Sequence, residues 1–205
     1  MNICIIANGY PTLDSPQFGC FEREQAVALK KMGHEVTILY IDVRFRHFKQ
    51  RLGINHIVDE GINVYGIYWF PFIFIKFLNY KTKDKLKRLM FDKVFRYVLS
   101  KQQKPDILYA HYLYNIAFGV HLKEKYHIPL IGLEHWSVLL KKQYTKRINE
   151  LGCLAYNNAD KLLAVSNSLA NVIDIHFGRK PIVLHNMVGQ DFIEANLIKK
   201  ERKGN

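Results

Sequence analysis

The sequence has few cysteines, no long apolar run and no leader-like start, and each absence excludes a class of protein. No segment has the roughly 18 uninterrupted apolar residues of a membrane-spanning helix. Met1 leads directly into apolar residues without a basic segment, so we expect no signal peptide. The three cysteines, Cys4, Cys20 and Cys153, are odd in number and far apart. This pattern argues against a disulfide framework and a metal centre, and it predicts a reducing, cytoplasmic location.

Acidic residues are also scarce. The chain has 18 Asp and Glu against 30 Lys and Arg, which gives a formal net charge of +12. Such a charge indicates an anionic partner, either a nucleic acid or an anionic lipid surface. No nucleic-acid-binding motif accompanies the charge, so we expect no nucleic acid among the partners. The alternative to a lipid partner is a solvated helix face, because many of the cations fall between residues 81 and 96.

The first forty residues have the pattern of a strand, a loop, a helix and a second strand. Residues 3–7 are apolar, as a strand buried on both faces requires. Asn8-Gly9 and two prolines then favour an open loop. The following helix is expected to end at Gly33, where glycine tolerates a left-handed cap. Its apolar face is predicted to consist of Phe21, Gln25, Ala28, Leu29 and Met32, with Glu22 and Arg23 outside it.

Function in such a βαβ unit is concentrated in the loop after the first strand. Unpaired backbone N–H groups at the helix N-terminus attract an anion such as phosphate there. Gly19 would let a ligand approach the backbone, but one glycine is a weak signal beside the G-x-G-x-x-G of dinucleotide sites. Dinucleotide redox chemistry is therefore disfavoured. The alternative role for Gly19 is simply to turn the chain into the helix.

Strands and helices alternate along the rest of the chain, which predicts an α/β fold. We expect a doubly wound, mostly parallel, Rossmann-like sheet of about seven strands, with ligands bound beyond their carboxyl ends. One long helix is predicted over residues 138–158, and Ser166 is expected to cap the helix that follows it. The later strands are predicted at residues 36–41, 62–69, 107–110, 130–133, 161–165 and 182–184.

His135 is the strongest catalytic candidate because it follows directly after a predicted strand. An imidazole there can donate to substrate hydroxyls or titrate near neutrality, although a histidine satisfied by local backbone groups is the alternative. Glu134 is expected to point to the opposite side. His111 and Tyr112 also end a strand and are either pocket lining or structural packing. Trp136 either stacks on a sugar ring or belongs to the core.

A possible membrane-contact surface combines an apolar segment with a basic helix. The segment from residue 70 to residue 78 is rich in phenylalanine, and the helix predicted over 83–99 carries many cations. We favour insertion of the segment into an anionic membrane interface over burial against the helices. The residues expected to contact the membrane are Phe72, Phe74, Phe77, Lys83 and Lys87.

Five groups of short motifs follow one another along nearly the whole chain. They are Tyr10-Pro11 with Gly19-Cys20-Phe21, Gln25-Ala26 and Gly33-His34-Glu35-Val36; Pro105-Asp106-Ile107 with Ala110-His111; Ile128-Pro129 with Glu134-His135-Trp136-Ser137; Ala159-Asp160 with Val165-Ser166; and Val183 with Asn186-Met187-Val188. Together they resemble the N-terminal, acceptor-side domain of the retaining GT-B glycosyltransferases, glycosyltransferase family 4. Residues 1–198 would form this domain, and 199–205 would begin the interdomain crossing or form a disordered tail.

The resemblance implies specific roles. Gly19 and Asn186 would lie on the donor side, His135 would reach the transferred sugar, and His111, Tyr112 and Trp136 would line the acceptor pocket. A nucleotide sugar would be the co-substrate, with no metal or other cofactor. Two departures stand out: the family's double glycine is here a single Gly19 flanked by Phe18 and Cys20, and Gly189 stands where an aspartate is usual.

The resemblance also implies a missing part, because a second Rossmann-like domain normally binds the nucleotide sugar. The sequence thus predicts the acceptor-binding half of a hexosyltransferase that acts on a lipid-linked or cell-surface glycan. Such an enzyme would be cytoplasmic and peripheral at the inner face of the membrane. The alternative is a non-enzymatic module that binds membrane or partner through its basic, aromatic surface.

Overall fold

A single mixed sheet organises the computed structural model, which describes residues 1–42, 52–69, 77–141 and 143–187. Its strand order is β3-β4-β2-β1-β5-β6-β7-β8, and every neighbouring pair is parallel except β3 and β4. This confirms the predicted doubly wound, mostly parallel α/β fold. The described strands are β1 (Asn2–Ala7), β2 (Glu35–Asp42), β3 (Gly53–Asp59), β4 (Ile62–Tyr68), β5 (Ile107–His111), β6 (Leu130–Glu134), β7 (Lys161–Ala164) and β8 (Ile182–Val183).

Helices connect the parallel strands and cover both faces of the sheet. They are α1 (Cys20–Lys31), α2 (Tyr80–Leu99), α3 (Leu113–Tyr126), α4 (Lys146–Asn158) and α5 (Asn167–Phe177), with a short 3₁₀ helix at Ser137–Lys141. Because successive side chains of a strand point to opposite faces, β1 contributes to two cores. Cys4 and Ile6 pack with residues of α2 to α5, whereas Ile3 and Ile5 pack on the face that α1 covers.

The helix predicted over residues 138–158 is in fact two helices. The chain forms the 3₁₀ helix at Ser137–Lys141 and begins a new α-helix at Lys146. Thr145 caps this helix, because its side-chain oxygen accepts a hydrogen bond from the Ile148 amide at 3.3 Å. A threonine three residues before an apolar position is a recognised start signal, so the break was present in the sequence.

The buried face of α1 also differs from the prediction. Phe21 is 41% exposed and Met32 is 72% exposed, whereas Glu22, expected outside this face, is 1% exposed. Gln25 is 4% exposed, as predicted. The helix is rotated so that two polar side chains face the sheet, where both have partners. Gln25 Oε1 accepts a hydrogen bond from the hydroxyl of Tyr109 on β5 at 2.7 Å.

The sheet has one strand more than the seven expected. β3 lies at the edge and forms an antiparallel hairpin with β4 through Glu60 and Gly61. None of the described helices is long and apolar enough to cross a membrane. Several predicted features lie outside the described residues: Phe72, Phe74, Gly189, Val188 and the tail from 199 to 205.

Candidate active site

The candidate site lies at the carboxyl edge of the sheet, beside its central strand. From β1 the chain moves to one side to form β2, and it later returns to the other side of β1 to form β5. The strand order therefore reverses between β1 and β5. In open α/β sheets the loops that follow two such strands diverge and leave a crevice in which ligands bind. The loop before α1 and the turn before α3 form the two sides of this crevice.

The loop between β1 and α1 is closed on itself by two glycines. Gly19 has a φ of +81°, and a Cβ atom there would lie 2.3 Å from the carbonyl oxygen of Gly9. A Cβ atom on Gly9 would in turn lie 1.7 Å from the ring of Phe18. Both positions thus require glycine because the two ends of the loop touch. The space beside Gly19 is filled by the loop itself, which supports the turning role for this residue.

Glu22 fastens the same loop from inside. Its carboxylate accepts a hydrogen bond from the backbone N–H of Asn8 at 3.0 Å, directly after β1. Burial raises the pKa of Glu22, and the bond from Asn8 opposes that shift. A buried carboxylate in the first turn of α1 lies at the positive end of the helix dipole, where negative charge is favoured.

Tyr112 connects β5 to α3 in an unusual backbone conformation. Its φ is +69° with a ψ of 148°, although it is not a glycine. Its N–H donates to the carbonyl oxygen of Leu133 at 2.9 Å, which ties the turn to the end of β6. Its ring stacks on His135 with a centroid separation of 4.9 Å. Strained backbone of this kind persists where the surrounding structure fixes it, and it is enriched at functional sites.

His135 occupies the centre of the crevice among three other rings. Its imidazole stacks on Tyr112 and lies 6.1 Å from the ring of Phe21, at an interplanar angle of 19°. Its Nε2 atom is 3.1 Å from Nδ1 of His111, whose side chain is completely buried. Burial lowers the pKa of His135 to about 4, and it lowers that of His111 too. Both imidazoles are therefore neutral near pH 7.

The free nitrogen of His135 faces Asn186. Asn186 lies close enough to raise the pKa of His135 slightly against the effect of burial. Within the described ranges, however, neither His135 Nδ1 nor Asn186 Oδ1 has a hydrogen bond of ordinary geometry. An amide oxygen beside Nδ1 favours the tautomer with its proton on that atom. Nε2 then accepts from His111, and the buried Nδ1–H of His135 is directed at the Asn186 amide oxygen.

Glu134 lies directly behind His135 and has no exposed surface. Its Oε1 atom accepts hydrogen bonds from the backbone N–H groups of His135 at 2.9 Å and Trp136 at 2.8 Å. Its Oε2 atom accepts from the hydroxyl of Tyr156 on α4 at 2.7 Å. Burial raises the pKa of Glu134 to about 7, although these donors favour the ionised form.

A comparison with protein-family models matches residues 23–191 to Glycosyltransferase Family 4. The chain belongs to glycosyltransferase family 4. The matched range contains the turn before α3, His135 with its neighbours, and Asn186. No curated protein matches the sequence.

Solved structures place the glycosyltransferase fold in the GT-B class. A sucrose-phosphate synthase structure from Thermosynechococcus elongatus covers 98% of this chain and 96% of its own, with a TM-score of 0.62 at 11% identity. Starch synthase IV of Arabidopsis thaliana, bound to ADP and acarbose, covers 93% of this chain with a TM-score of 0.57 at 16% identity. Anabaena HepE in complex with UDP and glucose covers 92% with a TM-score of 0.55 at 14% identity. The chain spans 52% of the starch synthase and 45% of HepE, which fits one Rossmann-like half of a GT-B fold.

The crevice of this family-4 domain brings together most of the residues that the sequence singled out. Gly19, Tyr112, His135 and Asn186 come from four separate connections around it, whereas His111 lies behind His135. Trp136 points elsewhere: it packs against the core and its ring lies 5.5 Å from that of Tyr114. Sequence reasoning missed three residues that support the crevice: Glu22, Tyr156 and Phe21. Glu22 accepts a hydrogen bond from the Asn8 N–H, Tyr156 donates to Glu134, and the Phe21 ring stacks on His135.

Ser166 has the structural role that was predicted for it. Its hydroxyl oxygen accepts a hydrogen bond from the N–H of Leu169 at 3.2 Å and so caps α5. In the described part of the chain, no group of three His, Cys, Asp or Glu side chains is arranged to hold a metal ion.

A polar cleft of about 340 Å³ lies at the opposite edge of the sheet, lined by the amino ends of β1, β2 and β4. Ligands of parallel α/β sheets bind at the carboxyl edge, so this cleft is not the candidate site.

The predicted membrane-contact residues are only partly exposed. Phe77 is fully exposed, at 100%, whereas Lys83 and Lys87 on α2 are half-buried. Burial lowers the pKa of Lys87, and the neighbouring Arg147 lowers it further. The exposed cations of α2 are instead Lys81, Lys85, Arg88, Lys93 and Arg96, and we refer to them as the basic face of α2.

Proposed function

We propose that this chain is the acceptor-binding half of a retaining hexosyltransferase, which moves a sugar from a nucleotide sugar to a lipid-linked or cell-surface glycan. One observation carries the proposal. At the point where strand order reverses, His135 is held neutral against Tyr112 and Phe21, with one ring nitrogen directed towards Asn186. A neutral imidazole with an N–H donor suits a sugar hydroxyl, and the flanking rings suit the apolar faces of a sugar.

The donor side of the proposal rests on the start of α1. This helix has no side-chain cap, and its first turn begins at Gly19 in the crevice. A diphosphate placed there would accept hydrogen bonds from backbone N–H groups and gain from the helix dipole. Two of the similar structures contain UDP or ADP, which supports a nucleoside diphosphate sugar as co-substrate. We propose no metal and no further cofactor.

His135 then acts as a hydrogen-bond donor in the transfer step. Because its pKa is lowered to about 4, it does not supply a positive charge near pH 7. Its contribution comes from the Nδ1–H, which is buried against Asn186 and becomes a donor to a sugar oxygen when that contact opens. Preorganised donors of this type each contribute about 10²-fold or more to turnover when they act on the transition state.

The test is sugar transfer by the natural protein that carries this chain. Membrane lipid extracts supply the acceptor, and a panel of radiolabelled UDP-, ADP- and GDP-sugars supplies the donor. We expect His135→Ala to lower kcat by about 10²-fold because it removes a transition-state donor. The matched control is His34→Ala, since His34 lies just before β2 at the opposite edge of the sheet. Equal turnover by both variants, with intact circular dichroism, would remove His135 from the mechanism.

A second candidate function, binding to an anionic membrane, is favoured by the basic face of α2 and the exposed Phe77. Each cation near an anionic surface contributes about 1 kcal/mol, which salt screens. An inserted aromatic ring adds a contribution that salt does not screen. We propose that this surface holds the enzyme at the cytoplasmic face of the membrane, beside its lipid-linked acceptor. The non-enzymatic alternative is that such binding is the whole function.

Vesicle sedimentation tests this surface. The chain should sediment with vesicles rich in phosphatidylserine and much less with neutral vesicles. Part of the bound protein should stay on the vesicles when salt is added. Replacing Phe72, Phe74 and Phe77 by serine should remove the salt-resistant part, and replacing Lys85 and Lys93 by glutamine should weaken the rest. Lys161→Gln on β7 is the matched control because it removes an exposed charge outside α2. Equal binding to both vesicle types, or to neither, would contradict the proposal.

A further inference from the structure

Glu134 joins three segments that meet behind the crevice. Its carboxylate accepts from the N–H groups of His135 and Trp136, which form the turn after β6. It accepts from the hydroxyl of Tyr156 on α4 and also from the backbone N–H of Leu113, the first residue of α3. The rings of Tyr112 and His135 both face the crevice. The amide of Leu113, directly after Tyr112, and the amides of His135 and Trp136 all donate to the Glu134 carboxylate.

Among the described residues, every group that bonds the carboxylate is a donor, and this restricts which side chain can replace it. Three of the four donors are backbone N–H groups, which cannot reverse their role. A glutamine has one acceptor oxygen and would direct its own N–H groups at donors. An alanine would leave several buried N–H groups without partners, which is costly. The site thus suits an ionised carboxylate, or a carboxylic acid whose O–H donates to the Tyr156 oxygen, because a hydroxyl is the one partner here that can reverse its role.

The geometry of the turn shows what the carboxylate does for His135. Two successive amides, those of His135 and Trp136, converge on a single oxygen, so the backbone is fixed directly at the residue that carries the imidazole. The bond to Leu113 fixes the residue after Tyr112, whose positive φ needs support from its surroundings. Glu134 therefore fixes the backbone at His135 and next to Tyr112, the two residues whose rings stack on each other.

We propose that Glu134 is a positioning residue for His135: its buried carboxylate sets the orientation of the imidazole and of the Tyr112 ring stacked on it. This inference rests on the proposed function only for the catalytic consequence, because the positioning itself is a property of the described structure. The competing explanation is a buried carboxyl group that stabilises the fold without affecting the imidazole.

The first experiment needs no substitution. In the ¹³C,¹⁵N-labelled 205-residue chain, NMR follows the amides of His135 and Trp136, the ring nitrogens of His111 and His135, and the Glu134 carboxyl carbon between pH 5 and pH 8.5. The titratable groups that interact with Glu134 are Tyr156 on α4 and Tyr112 before α3. We expect the His135 ring signals to move with the same midpoint as the two amides and the Glu134 carboxyl carbon. Amides that titrate while the His135 ring signals stay constant would overturn the proposal.

The second experiment uses Glu134→Gln, with Glu124→Gln at an exposed position of α3 as the matched control. We expect the first variant to change the His135 ring-nitrogen shifts and the second to leave them unchanged. A folded Glu134→Gln chain with wild-type imidazole signals would refute the positioning role. If this variant does not fold, the titration of the wild-type chain still decides the question.

The third experiment separates this proposal from the proposed function. In the natural protein, Glu134→Gln should lower kcat by about 10-fold or more, as loss of an outer-shell orienting group does, and should change KM little. In the His135→Ala background it should have less than about a 2-fold further effect, because residues that act as one unit are non-additive. If Glu134→Gln lowers kcat by about 10-fold in the His135→Ala background as well, Glu134 does not act through His135 and the proposal is wrong. Coupled NMR signals together with an active His135→Ala variant would instead refute the proposed catalytic role and leave the positioning intact.

Discussion

The buried carboxyl group of Glu134 should make the stability of this domain depend on pH in a way that one substitution removes. Burial raises the pKa of Glu134 from the usual 4.5 to about 7 in the folded chain. Between these two values the folded state binds a proton that the unfolded state has released. The stability from this group is therefore fully present below about pH 4.5 and is lost as the pH rises through about 7. Glutamine cannot titrate, so Glu134→Gln removes this dependence.

The size of the effect follows from the two pKa values. A difference from 4.5 to about 7, at about 1.4 kcal/mol per pH unit, corresponds to about 3 kcal/mol. This is a large part of the usual stability of a domain, about 5–15 kcal/mol, so the change in the free energy of unfolding should be measurable. His135 acts in the opposite sense: its folded pKa is lowered from 6.5 to about 4, so its stability contribution is lost as the pH falls. Measuring both proteins at every pH subtracts the part of this contribution that the substitution leaves unchanged.

The measurement is urea unfolding of the wild-type chain and of Glu134→Gln at intervals from pH 4.5 to pH 8. The hydrogen bonds that glutamine cannot make add an offset that does not change with pH. On top of it, the free energy of unfolding of the wild type relative to the variant should fall by about 3 kcal/mol across this range. Glu124→Gln controls for the change from carboxyl to amide at a surface position. A difference that stays constant within about 0.5 kcal/mol would refute the reasoning, since surface changes have effects of that size.

Two further predictions concern the domain as a whole. The isolated 205-residue chain should fold, by circular dichroism, yet transfer no sugar above the level of a His135→Ala control, because catalysis requires both reactants to be fixed across a cleft. Gly152→Ala on α4 should cost about 1–3 kcal/mol in urea unfolding, because its Cβ would lie 2.3 Å from the ring of Phe177 and overpack the core. Gly33→Ala, with nothing within 4 Å of the new Cβ and a φ of +86°, should cost about 1–2 kcal/mol through backbone strain alone. A Gly152→Ala variant within about 0.5 kcal/mol of the wild type would contradict the packing argument.

The sequence predicted the fold well where a local pattern and the tertiary environment agree. Parallel strands buried on both faces are short apolar runs, and β1, β5 and β6 were found from such runs. β3 was missed because it is an edge strand with mostly exposed or half-buried side chains, so no alternation of apolar residues marks it. The rotation of α1 was missed for a different reason. Glu22 is buried where its carboxylate accepts a hydrogen bond from the N–H of Asn8. The spacing of apolar residues in a helix carries no information about such a bond to a backbone group outside the helix.

The candidate site was predictable in position but not in its support. His135 and Tyr112 follow strands, and the rule that ligands bind at carboxyl ends was enough to select them. Glu134 was expected only to point away from His135. Its partner Tyr156 lies 22 residues further along the chain, and it contacts Glu134 only because α4 packs behind β6. Contacts that depend on how a helix docks on a sheet carry no signature in a single sequence.

The closed loop before α1 determines what a ligand at that helix would have to change. Its turns are already bonded internally, with Ser15 N–H donating to Thr12 O at 3.0 Å and Phe18 N–H donating to Ser15 O at 3.2 Å. Ordering a flexible segment costs about 1–2 kcal/mol per residue in backbone entropy alone. A loop that is folded beforehand avoids this cost, so most of the contact energy remains as affinity. Calorimetry of diphosphate binding should then show an enthalpy that varies little with temperature, because almost no chain folds during the encounter.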